Sequence, residues 1–230
     1  MADPIFVTFE GKIHAAQQAR AQSFYETLAP LVVKQPGFIS ETGFVSVDQE
    51  GGQVLYVSFE SEETLHAWRR ERVHLGIQKA GREGVFVDYR IRVGREVGDG
   101  LGIGEAMDES RGRKRQSYLL VWQYSGSWDG GSEASVSASV EQRSLEGEVW
   151  RDLVDAATYH NETHVLRITA WSNLDAARAV QASVRRVDGD DLLLIRVERD
   201  YGQFQREEAP EDADKCQAAA VEAGQDALTV

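Results

Sequence analysis

The chain has 230 residues, of which 42% are hydrophobic and 27% are charged, a balance typical of a globular protein with one large domain or two small ones. The formal net charge of −13 opposes binding to nucleic acid and to anionic membranes, and a single cysteine excludes an internal disulfide and cysteine-based metal clusters. The apolar runs are shorter than the roughly 20 residues that cross a bilayer, and the first residues lead into a strand-like run without the pattern of a signal sequence. We therefore expect a cytoplasmic protein with no membrane partner.

The first 95 residues alternate strand-like and helix-like patterns. β-branched and aromatic runs predict strands at 5–9, 38–47, 54–59 and 85–93. Amphipathic periodicity predicts one helix over about 13–34, which Pro30 should kink or divide, and a second helix that begins after the N-cap Ser61 and extends past Leu75. The resulting order, βαββαβ, is the ferredoxin-like arrangement.

The same order recurs in the second half of the chain. We predict a strand at 118–124, a mostly helical segment at 132–153, a hairpin of 154–160 with 164–171, a helix that Asn173 caps and that continues to about 184, and a strand at 192–197. Ile91-Arg92-Val93 is echoed by Ile195-Arg196-Val197. We interpret the chain as two divergent copies of one unit.

The segments outside the two copies differ from them in composition. Residues 96–116 contain four alternate glycines and a basic cluster, which suits a mobile linker and does not fit the spacing of a dinucleotide-binding loop. The predicted division is residues 1–95 for the first copy, 96–116 for a linker rich in glycine and arginine, 117–206 for the second copy and 207–230 for an acidic, alanine-rich tail.

Four stretches of the first copy together carry a family resemblance. They are a Pro-Gly-Phe element at 36–38, a strand-to-helix junction at 58–63, a helix with Trp68 and His74 in W-x5-H spacing, and a closing strand at 88–91. In these stretches the first copy resembles the antibiotic-biosynthesis monooxygenase family of the dimeric α+β-barrel superfamily. The second copy has Val180 where Trp68 would align and no counterpart of His74.

The resemblance implies a fold and an activity. The fold class would be α+β, with two ferredoxin-like βαββαβ units pairing as a dimeric α+β barrel, here as an intramolecular pseudo-dimer that could pair again into a homodimer. The pairing has a physical reason, because a sheet with helices on one face leaves its other face apolar and uncovered, and the second sheet would bury that face. The activity would be that of a cofactor-independent monooxygenase that oxidises an aromatic or polyketide-type small molecule with O2, in a cleft between sheet and helices, without metal or flavin.

The candidate site residues each have a structural alternative. His74 is the candidate catalytic base, since an imidazole of near-neutral pKa can remove a proton from a phenol or carbon acid, and its alternative is a hydrogen-bonded structural histidine. Trp68 would form a pocket wall or belong to the core. The remaining candidates for substrate binding, which could equally serve packing or lie on the surface, are Arg72, Tyr25, Tyr56, Tyr89, Phe6 and Thr8.

Two other functions stay open at this stage. The chain could be a non-catalytic small-molecule binding or stress-response module, which would bind a ligand saturably without forming product. It could also bind or degrade haem through His74. We expect no resident metal.

Overall fold

A computed structural model describes residues 4–98, 117–125, 152–184 and 188–210. These ranges contain eight strands and four α-helices. Most of the predicted linker, almost all of the segment predicted as helical at 132–153 and most of the tail lie outside them. In chain order the elements are β1 (Ile5–Ile13), α1 (Gln18–Val32), β2 (Phe38–Ser46), β3 (Gly52–Phe59), α2 (Glu62–Arg69), α3 (Arg72–Ala80), β4 (Phe86–Glu96), β5 (Tyr118–Ser125), β6 (Leu153–His160), β7 (His164–Trp171), α4 (Leu174–Ser183) and β8 (Asp191–Gly202).

The eight strands are hydrogen-bonded as a closed barrel in the order β1-β3-β2-β6-β7-β5-β8-β4. This order contains the runs β4-β1-β3-β2 and β8-β5-β7-β6, each of which is the strand order of a ferredoxin-like sheet. The predicted fold class, an α+β barrel of two ferredoxin-like units, is confirmed.

The described residues form two compact units. The first unit comprises 4–42, 51–93 and 199–210, and the second comprises 43–50, 94–98, 117–125, 152–184 and 188–198. The boundaries fall inside β2, β4 and β8, so these long strands contribute residues to both units.

The core of the first unit lies on the side of its sheet that faces the helices. In the antiparallel register, Ile5 pairs with Phe59 and Val7 with Val57, so these four side chains share one side of the sheet. They pack with residues of two helices that cover this side: Leu28, Leu31 and Val32 of α1 and Leu65 and Trp68 of α2. Burial of this apolar surface stabilises the unit.

In the second unit too, the core lies on the side of the sheet that faces the helix. Tyr118 pairs with Trp171 and Leu120 with Thr169 across β5 and β7, which places alternate residues of both strands on one side. Ala176, Ala177 and Val180 of α4 pack against that side. Asn173 caps α4 as predicted, because its side-chain oxygen accepts the backbone N–H groups of Asp175 at 2.8 Å and Ala176 at 3.1 Å.

Two helix predictions differ from the structure in detail. Pro30 lies inside the last turn of α1, and the helix continues through it to Val32 without dividing. The second predicted helix is two helices, because the chain leaves helical geometry at Glu71 between α2 and α3. Ser61 caps α2 as predicted, in a capping box with Thr64.

Among the described residues, no helix is both long enough and apolar enough to span a membrane.

Candidate functional site

The break between α2 and α3 brings His74 against Trp68. The backbone of Glu71 is extended, with φ −57° and ψ 132°, and its carboxylate Oε2 accepts the backbone N–H of His74 at 2.8 Å, which caps the start of α3. The imidazole then turns back and stacks on the Trp68 indole, with ring centroids 4.2 Å apart and planes 26° apart. In an unbroken helix, residues six positions apart lie on different faces, so this contact depends on the break.

A backbone hydrogen bond determines which nitrogen of His74 carries the proton. Nδ1 lies 3.0 Å from the carbonyl oxygen of Trp68. A carbonyl oxygen only accepts hydrogen bonds, so Nδ1 must donate and therefore carries the proton. In the neutral ring, Nε2 is then the nitrogen with the free lone pair.

The surroundings of His74 lower its pKa to about 4 from the ordinary value of 6.5. The main cause is desolvation of the ring, and the nearby Arg69 guanidinium acts in the same direction, while the Trp68 carbonyl and the Glu71 carboxylate oppose them. The near-neutral pKa expected from the sequence is therefore not present. His74 is a neutral imidazole at all pH values above about 5, with Nε2 able to accept a proton.

Trp68 belongs both to this site and to the core. Its side chain is only 7% exposed and packs with Ile5, Val57 and Phe59 on the helix-facing side of the sheet. The two roles proposed from the sequence are thus compatible, since the indole packs on the core and also contacts the imidazole.

The cationic group close to His74 is Arg69, which sequence reasoning did not select. Arg69 acts on the pKa of His74, whereas Arg72, the sequence candidate, is exposed at the first position of α3. The backbone carbonyl of Arg69 also accepts a hydrogen bond from the Gln78 amide at 3.2 Å, which ties the end of α2 to α3.

Three of the predicted residues lie on the opposite side of the sheet from Trp68. Phe6 pairs with Ser58 and Thr8 with Tyr56, so these residues alternate with those that face the helices. The Phe6 and Tyr56 rings are stacked with centroids 6.1 Å apart, and the Thr8 hydroxyl donates to Glu10 at 3.2 Å. This side of the sheet does not bring these three residues together with His74.

That opposite side also holds a buried ion pair, which the sequence did not predict. Arg92 is 2% exposed, and its Nε donates to Glu10 Oε1 at 3.0 Å while Nη2 contacts the same oxygen. The two residues are far apart in the sequence, and no local pattern links them.

The two other predicted tyrosines are in separate places. Tyr25 is 42% exposed on α1, and both burial and the Glu41 carboxylate raise its pKa. Tyr89 is buried against Phe9, with ring centroids 5.6 Å apart, and its hydroxyl accepts a hydrogen bond from Arg206 at 3.4 Å. Neither has a described contact with His74.

Within the described ranges, no group of three histidine, cysteine, aspartate or glutamate side chains is arranged to hold a metal ion. The chemistry that this geometry can support is proton transfer at His74 Nε2, beside an aromatic wall and a guanidinium group.

A family model matches the part of the chain that carries this site. Residues 4–80, which include Trp68, Arg69 and His74, match the model of the antibiotic biosynthesis monooxygenase family. The resemblance to this family that the sequence predicted is confirmed for residues 4–80. Over 216 residues the chain is 24% identical to a protein of Pyricularia oryzae named jasmonate monooxygenase ABM, and the alignment covers 89% of this chain and 96% of that protein. The family match and this relative support a monooxygenase-like function.

Two solved structures illustrate the extent of the structural likeness. An anthrone oxidase-like protein is 12% identical with a TM-score of 0.35, over 91% of this chain and 97% of that one. The protein Rv0793 from Mycobacterium tuberculosis is 15% identical with a TM-score of 0.39, over 42% of this chain and 98% of that one.

Proposed function

We propose that the chain is a cofactor-independent monooxygenase that oxidises an aromatic or polyketide-type small molecule with O2, and that His74 is its catalytic base. The observation that carries this proposal is the hydrogen bond from His74 Nδ1 to the Trp68 carbonyl, which leaves Nε2 as the proton acceptor in a neutral ring. The Trp68 indole, which is buried in the core, stacks on the imidazole and holds the ring in this orientation.

The reaction balances without an external reductant when the substrate carries an activated CH2 group, as an anthrone does. Nε2 removes one proton, and the resulting carbanion transfers electrons to O2 and forms a C–O bond. Loss of the second C–H proton together with cleavage of the O–O bond leaves a ketone and one water. The CH2 carbon loses four electrons and O2 gains four.

The low pKa of His74 sets an energetic requirement on the first step. Transfer of a proton from a phenol-like acid of pKa about 10 to a base of pKa about 4 is uphill by about 8 kcal/mol. A reaction of about 10 per second has a total barrier of about 16 kcal/mol, so the step fits within such a turnover. Attraction between the imidazolium and the substrate anion would lower the free-energy cost of this proton transfer.

Arg69 and Glu71 would act on the two charges that this step creates. Arg69 lies near His74, where its positive charge would stabilise a substrate anion. The Glu71 carboxylate and the Trp68 carbonyl both favour the imidazolium. We assign these residues electrostatic and positioning roles beside the base.

The test is O2 consumption by the purified, chelator-treated chain with an anthrone, and in parallel with jasmonate, which the relative's name suggests. We expect turnover with at least one substrate, and we expect His74→Ala to lower kcat by about 100-fold or more, a typical contribution of a general base. The matched control is His66→Ala, which removes a histidine that is paired with Glu62 on α2. Unchanged turnover in His74→Ala would remove the assigned base.

A second measurement separates catalysis from simple binding. Saturable binding of the anthrone with neither O2 uptake nor product would contradict the proposed enzyme and support the binding module. Independently, nitrogen NMR shifts of the His74 ring at pH 7 should show protonation at Nδ1. Protonation at Nε2 would contradict the assignment of Nε2 as the base.

We also propose that residues 1–95 and 117–206 are tandem copies. The support is that the antiparallel pairs β1–β3 and β5–β7 occupy corresponding places in the two strand orders β4-β1-β3-β2 and β8-β5-β7-β6. Light scattering would report whether the chain pairs further into a homodimer.

A further inference from the structure

The second unit carries a cluster of aromatic and charged side chains on its helix-facing side. Trp122 and Tyr124 lie two positions apart on β5 and therefore on the same side, with ring centroids 4.7 Å apart and planes tilted by 42°. Trp122 pairs with Arg167 of β7, which places the guanidinium side chain on that side as well. The Trp122 indole N–H donates to Asp190 Oδ2 at 3.3 Å.

Two hydrogen-bond donors of this cluster are buried and unsatisfied. The Tyr124 hydroxyl and the Arg167 Nε are inaccessible to solvent and have no hydrogen-bond partner in the described part of the chain. Burial raises the pKa of Tyr124, and Arg167 lowers it while Asp190 raises it, as expected if the three groups are close to one another. Buried donors without an acceptor are costly, so an acceptor oxygen placed between them would be favoured.

The first unit has no such cluster at the equivalent positions. Phe9 and Leu55 occupy the paired positions that Trp122 and Arg167 occupy in the second unit. Phe9 packs against Phe86 and Tyr89, so the position is filled by apolar core in the first unit. The replacement of that core by a guanidinium and an indole is specific to the second unit.

We propose that the second unit binds a planar, conjugated monocarboxylate at the cluster of Trp122, Tyr124, Arg167 and Asp190. The flat part of the ligand lies against the Trp122 and Tyr124 rings, and a carboxylate oxygen accepts hydrogen bonds from Arg167 Nε and the Tyr124 hydroxyl. Asp190 would repel additional negative charge, so the site prefers one carboxylate over two. This cluster shares no residue with the His74 site and does not depend on the proposed reaction.

The experiment is calorimetric titration of the full chain with 2-naphthoate, with the neutral 2-naphthylmethanol as a matched ligand. We expect saturable 1:1 binding of the acid, weakened by about ten- to a hundredfold in Arg167→Gln, which is the range for a lost charge-assisted hydrogen bond. The control Arg178→Gln removes the same charge from α4 and should leave the affinity unchanged. Binding of the neutral alcohol should be weak and equal in the wild type and in Arg167→Gln.

A second variant keeps the proposal testable if Arg167→Gln fails to fold. Tyr124→Phe deletes only the hydroxyl and should weaken 2-naphthoate binding several-fold with an unchanged circular dichroism spectrum. Absence of saturable binding at millimolar ligand would overturn the proposal. An equal loss of 2-naphthoate affinity in Arg178→Gln would also overturn it. Loss of binding in His74→Ala would place the ligand in the first unit and overturn it as well.

Discussion

The depressed pKa of His74 makes the stability of the protein depend on pH in a specific window. As the pH falls through about 6.5, the imidazole of the unfolded chain binds a proton, whereas the folded chain resists protonation until about pH 4. Lowering the pH within this window therefore lowers the free energy of unfolding. His74→Gln removes the titrating group and retains an amide that can donate to the Trp68 carbonyl.

The size of the effect follows from the two pKa values. With values of 6.5 unfolded and about 4 folded, the free energy of unfolding at about pH 5 is lower by about 2 kcal/mol than at about pH 8 because of this one group. His74 is partly exposed, so water screens part of the effect, and about 1 to 2 kcal/mol is the expected range.

The assay is urea unfolding of the wild type and His74→Gln at about pH 8, 6 and 5, followed by far-ultraviolet circular dichroism. Carboxylates titrate in both proteins, so their contribution cancels when the two pH profiles are subtracted. The wild type should lose about 1 to 2 kcal/mol more than the variant between the two ends of this range. Parallel profiles would show that the fold does not disfavour the imidazolium, and the account of a neutral His74 would be wrong.

Three further predictions concern the stability of the first unit and of the strand β4. Glu10→Gln should cost about 3 kcal/mol or more in urea unfolding, because it leaves the Arg92 guanidinium buried without its carboxylate, and combining it with Arg92→Met should recover part of the loss. Gly94→Ala should lower the free energy of unfolding by at least about 2 kcal/mol, since the added Cβ would overlap a β8 carbonyl oxygen. The control Gly76→Ala, in open space on α3, should raise the free energy of unfolding by about 0.5 to 1 kcal/mol. Ser61→Ala should cost about 1 kcal/mol through loss of the α2 cap, and an unchanged urea midpoint would show that the capping box adds nothing.

The sequence alone determined the elements whose signals are local. Runs of β-branched and aromatic residues identified the strands, and the N-cap residues Ser61 and Asn173 marked the starts of two helices, because a cap depends on only three or four consecutive residues. The family resemblance of a few short stretches then predicted the barrel. Trp68 and His74 were selected together, and the structure stacks them.

The tertiary structure decided which side of the sheet each strand residue faces and which distant residues meet. In β1, Phe6 and Val7 are both apolar, so alternation by itself did not show which of them faces the helices. The break at Glu71, which puts His74 on the Trp68 carbonyl, has no strong local breaker such as proline or glycine. The pair of Glu10 and Arg92 lies 82 residues apart, and such contacts depend on strand order and register, which only the assembled sheet defines.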